Sequence, residues 1–88
     1  METKNQANEP VAQVKLGRIV GAIWRNESDN SVVRFNTTFS RLYKDGQDWK
    51  RTDSFGRDDL LLLAKVADLA QTRVFELEQE ERSGKADQ

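Results

Sequence analysis

Asp58-Asp59 is the adjacent carboxylate pair that falls in a segment expected to be ordered. Paired carboxylates can share a proton or a metal ion, but neighbours on a helix project about 100° apart, which makes a poor chelate. Their position at a helix start points instead to first-turn charge favoured by the helix dipole. Ser54, just upstream, is a candidate N-cap or lies just outside the helix. As a nucleophile it lacks a base, because the chain contains no His. It also contains no Cys, which removes thiolate chemistry, disulfides and thiolate zinc sites. Gly17, Gly21, Gly46 and Gly56 fit neither G-x-G-x-x-G nor G-x-x-x-x-G-K. The expectation is a protein that is not an enzyme and has no cofactor or metal.

The basic residues carry more information. Lys and Arg number 14 against 15 Asp and Glu, a near-neutral total that conceals an uneven distribution. Residues 15–57 hold nine basic and five acidic side chains, a net +4, whereas residues 58–88 hold four basic and eight acidic, a net −4. Local potential rather than the total decides which partners approach. Arg18, Arg34, Arg41, Lys50 and Arg51 are candidates for phosphate contacts, and Trp24 for stacking on an unpaired base. The bland alternative is that surface strands of a chain with 33% charged residues carry Arg and Lys anyway, with Trp24 and Trp49 both in the core.

Those residues lie on a segment with the marks of a sheet. Val14 to Trp24 is rich in β-branched residues and broken by Gly17 and Gly21, which favours strand over helix. Asn26 to Ser31 is dense in turn formers. Val33, Phe35, Thr37 and Phe39 then alternate with Arg34, Asn36, Thr38 and Ser40, the period of a strand with one buried face. Lys44 to Gln47 reads as a second turn, and Trp49 to Phe55 as a third strand. With Ile19 and Ile23 inward, Gly21 lies beneath the helix and Trp24 faces outward; the opposite parity buries Leu16, Val20 and Trp24. With Trp49 and Phe55 inward, Lys50, Thr52 and Ser54 face outward, which leaves Arg51 and Asp53 pointing inward without an explanation.

From Arg57 to Glu80 no breaker occurs, and Leu60, Leu63, Ala67, Ala70, Val74 and Leu77 recur at alternating spacings of three and four. The fold class is therefore α+β: an antiparallel sheet of three strands, or four, followed by one long C-terminal amphipathic helix, β-β-β-α. A helix of that length, about 36 Å at ~1.5 Å per residue, exceeds a typical strand, so its last turns are expected to overhang the sheet. Apolar residues there call for a second copy of the chain, and Leu63, Val66, Ala70, Val74, Phe75 and Leu77 are the expected homodimer interface.

The stretches Ile23-Trp24-Arg25-Asn26-Glu27, Tyr43-Lys44-Asp45-Gly46 and Trp49 to Leu60 resemble a family of small bacterial proteins of unassigned function, over residues 15–75. In architecture, strands followed by a C-terminal helix resemble the Whirly, Pur-type and transcriptional-coactivator single-strand binders. That resemblance implies dimerisation through helices and a sheet face that holds a single strand. Those modules have four strands where three are counted here; Val11 to Val14 either extends the first strand or forms a short extra one.

The chain of 88 residues suits one domain, read as residues 11–80 between a disordered leader, 1–10, and a disordered tail, 81–88. The longest apolar run, Leu60 to Ala64, is far shorter than a membrane span, so the expected setting is cytoplasmic, with no membrane partner. The expected function is low-specificity binding of single-stranded DNA or RNA on the basic sheet face. The alternative is a protein-interaction or structural homodimer module with no nucleic-acid role.

Overall fold

The computed structural model describes residues 9–86. Most of the expected leader, up to residue 8, and the last two residues lie outside the described residues. Four strands, β1 (Ala12–Leu16), β2 (Ile19–Glu27), β3 (Val33–Asp45) and β4 (Asp48–Thr52), form one antiparallel sheet in chain order. A 3-10 turn, Arg57–Asp59, leads into a single helix, α1 (Leu60–Ala86). The class is α+β, with the fourth strand present.

The extra strand arises because the apolar run from Val14 to Trp24 contains a two-residue turn. Leu16 pairs with Ile19, and Gly17 between them holds φ at 57°, a left-handed conformation that glycine adopts at little cost. Gly46, with φ at 66°, plays the same part between the paired Asp45 and Asp48. The β2–β3 loop is closed differently. Ser28 Oγ accepts hydrogen bonds from the backbone N–H groups of Asn30 and Val32, and Ser31 takes the positive φ.

The registers run without interruption, so each residue's face follows from its partner. Ile19, Gly21 and Ile23 of β2 share the helix side with Val14 and Leu16 of β1 and with Thr37 and Phe39 of β3. Against them α1 places Val66 and Ala70, and Ile19, Ile23 and Val66 are completely buried. Helix approach is close because Gly21 has no side chain: a Cβ there would stand 3.0 Å from Val66 Cγ1 and 3.3 Å from the Phe39 ring. The parity with Ile19 and Ile23 inward is therefore the one adopted.

α1 runs along β1 and β2, with Leu62 at Gly17, Val66 over Gly21 and Glu81 beside Arg25. The helix continues to Ala86, into the segment read from sequence as a tail, and Arg25 on β2 holds Glu81 through Nη2–Oε2 at 2.8 Å and Nε–Oε1 at 3.3 Å. Val66 and Ala70, named for a dimer interface, are spent on the protein's own sheet. Leu63, Val74 and Leu77 are half-buried, and Phe75 is exposed.

Candidate nucleic-acid interface

The face of the sheet away from α1 is read directly from the pairing. It carries Gln13 and Lys15 on β1, Val20, Ala22, Trp24 and Asn26 on β2, Arg34, Asn36, Thr38, Ser40, Leu42 and Lys44 on β3, and Trp49 and Arg51 on β4. Among the described residues, no strand residue on this face is acidic. Glu27, Asp45 and Asp48, the acidic residues within the strands, all share the helix side.

The cations divide in the same way. On the helix side each has a carboxylate: Arg25 with Glu81 and Glu27, Arg41 with Asp59 at 3.4 Å, and Lys50 with Asp45 at 2.9 Å. On the open face, Lys15, Arg34, Lys44 and Arg51 have no carboxylate within ion-pair distance among the described residues. Arg51 instead donates to Ser40 Oγ at 3.4 Å, and Lys44 Nζ sits 5.8 Å from the centre of the Trp49 ring. Cations without a carboxylate partner keep their charge for an external anion, whereas a paired cation must first give up its carboxylate.

The structure thus separates the six residues singled out for nucleic acid. Trp24, Arg34 and Arg51 share the open face; Arg18 lies in the β1–β2 turn beside it, exposed, its carbonyl accepting from the N–H of Leu42. Arg41 and Lys50 lie on the helix side. Arg41 is a structural residue, its Nε donating to the Ser54 carbonyl at 3.1 Å and facing Asp59. Asp59 Oδ2 in turn accepts from the Gly56 N–H, so the β4–α1 connection is capped from Gly56 and not from Ser54. Asp58 is almost fully exposed and meets Arg57 at 3.5 Å.

Three further open-face residues, Lys15, Lys44 and Trp49, were not among the residues expected there. The signal that could have found them is the Asp45-Gly46 turn. Once Asp45 pairs with Asp48, Trp49 must pair with Lys44 and share the face of Arg34. Trp49 is accordingly 62% exposed rather than inward, and Arg51, expected to point into the core, faces solvent.

Trp24 is held in place. Its Nε1 donates to Thr38 Oγ1 at 3.0 Å, which draws the indole from its own pair, Asn36, toward the Ala22–Thr38 pair. Ala22 and Val20 are buried although they face away from the helix, so the middle of the open face is an apolar strip flanked by polar groups. Trp24 and Trp49 stand eight β3 positions apart, opposite Asn36 and Lys44, about 26 Å at ~3.3 Å per residue.

No family model, no curated protein and no solved structure matches this chain. Among the described residues, no helix is long and apolar enough to cross a membrane.

Proposed function

We propose that the open sheet face binds single-stranded DNA or RNA with low sequence specificity, and that the role is binding rather than catalysis. The observation that carries this reading is the sorting of charge by face. Among the described residues, four open-face cations lack carboxylate partners, while the strand carboxylates all lie on the other side. Lys15, Arg34, Lys44 and Arg51, with Arg18 at the turn, neutralise phosphates. Trp24 and Trp49 offer aromatic faces at the two ends, and Asn36, Thr38 and Ser40 between them offer hydrogen bonds without a fixed base pattern. Stacking tolerates any base, which is why low specificity accompanies this arrangement.

The test is a titration of labelled oligo-dT and oligo-rU at two salt concentrations, with wild type, Arg34→Glu and Lys50→Glu side by side. Both variants change net charge equally, but only Arg34 lies on the open face. Arg34→Glu weakens binding and lowers the log-log salt slope by about 0.7 for each phosphate no longer neutralised, while Lys50→Glu leaves the slope near that of wild type. Absence of binding at low salt, or equal weakening in both variants, rejects this face as the site.

A further inference from the structure

β3 is the longest strand and is only half covered on its outer side. β4 pairs with Arg41–Asp45 alone, so residues 33–39 have β2 on one side and no strand on the other. The phase of the ladder identifies which groups are free. Leu42 N–H bonds the Arg18 carbonyl, so even-numbered β3 residues face β2 and odd-numbered ones face the outer edge. Arg41, Tyr43 and Asp45 satisfy theirs with β4, whereas the N–H and C=O groups of Val33, Phe35, Thr37 and Phe39 have no backbone partner among the described residues.

Proteins usually blunt such edges with short strands, prolines, bulges or charge. β1, the opposite edge of the sheet, is five residues long, follows Pro10 closely and carries Lys15. β4 is equally short and carries Lys50 and Arg51. The free part of β3 has no proline and no bulge, and Arg34 is its single charge.

We propose that this edge pairs with the same edge of a second copy, antiparallel about a two-fold axis at Asn36, joining two sheets into one of eight strands. In that register Val33 lies opposite the partner's Phe39, Phe35 opposite the partner's Thr37, and Arg34 opposite the partner's Thr38. All four outward-facing residues of each strand are hydrogen-bonded, apolar meets apolar at the ends, and no like charges face each other. The free segment fits itself end to end. A shift that puts Thr37 on the axis brings Val33 against the partner's Arg41, whose backbone is already bonded to Thr52. A shift toward Phe35 leaves Phe39 unpaired. The two-fold axis stands perpendicular to the sheet, so both helices stay on one side and both basic faces remain open on the other. The interface is therefore the sheet edge, not the stripe of Val66 and Ala70, and it does not depend on nucleic-acid binding.

The native chain has no Cys, which makes single cysteines informative. Asn36→Cys places two thiols across the axis as a non-hydrogen-bonded pair, about 4.5 Å between Cα atoms, within disulfide reach. Thr38→Cys places them more than ~12 Å apart, beyond it. The expected result, without nucleic acid, is wild type sedimenting at twice 10.1 kDa, ready oxidation of Asn36→Cys to a covalent dimer and none for Thr38→Cys. Thr37→Pro removes an outward N–H that no bond among the described residues uses, so it gives a monomer with an unchanged circular dichroism spectrum. A wild-type monomer at micromolar concentration, or equal cross-linking of both cysteine variants, overturns the proposal; the cysteine comparison decides it even where Thr37→Pro fails to fold.

Discussion

Gly21 lies directly beneath Val66: a Cβ on Gly21 would stand 3.0 Å from Val66 Cγ1, with the Phe39 ring closing the other side. Val66 is fully buried and β-branched, so it has no free rotamer into which to retreat. Gly21→Ala should destabilise the fold by about 1–2 kcal/mol, overpacking outweighing the gain from a stiffer unfolded chain. Val66→Ala in the same molecule should recover part of that stability, and thermal melts of the four members of the cycle would show the coupling. Additive melts would mean that this close approach does not govern helix height.

Trp24 and Thr38 should act together in binding. Trp24→Ala removes a stacking face, worth about 1–3 kcal/mol of single-strand affinity, and leaves the salt slope unchanged because no charge is removed. Thr38→Val keeps the ring but releases the indole N–H, so a smaller drop in affinity is expected, with fluorescence of the indole shifting in the free protein. An altered slope in Trp24→Ala would place the effect elsewhere.

Arg41 separates structure from binding. Its guanidinium ties the Ser54 carbonyl and Asp59 together at the β4–α1 connection. Arg41→Ala should cost about 1–2 kcal/mol of stability, measured by urea unfolding, and leave oligonucleotide affinity unaltered wherever the variant is folded.

The pair of Arg25 and Glu81 fastens the end of α1 to the sheet. The hydrogen bond from Arg25 to Glu81 is the main cause that raises the Arg25 pKa above its ordinary value, against an opposing desolvation. A raised folded-state value stabilises at every pH below the unfolded one, so Arg25 contributes fully across the neutral and mildly alkaline range. Arg25→Ala should destabilise by about 1 kcal/mol, the partial exposure of both side chains keeping the figure small, and the effect should be constant over that range. Hydrogen exchange should quicken selectively in the last turns of α1.

Much of this arrangement is written locally. The alternation from Val33 to Ser40 announces a strand with one buried face, and the three-and-four spacing after Arg57 announces the helix. Gly21 flanked by Ile19 and Ile23 even marks the place where the helix comes close. The Gly17-Arg18 turn is hidden because a two-residue turn needs only one left-handed residue, and nothing in an apolar run distinguishes that glycine from one inside a strand.

The class of fold, strands followed by one C-terminal helix, and the uneven split of charge between sheet and helix follow from the order of residues alone, whereas the separate first strand does not. Each depends on periodicity or on position along the chain, which short-range physics dictates. Packing in three dimensions was needed to show that Arg34 and Arg51 lack carboxylates among the described residues while Arg41 and Lys50 are neutralised. It was needed equally to turn Trp49 toward solvent and to assign Val66 to the core. A one-residue change of register moves every side chain of a strand to the other face, and that register is set by turns and packing partners distant from the residues they place.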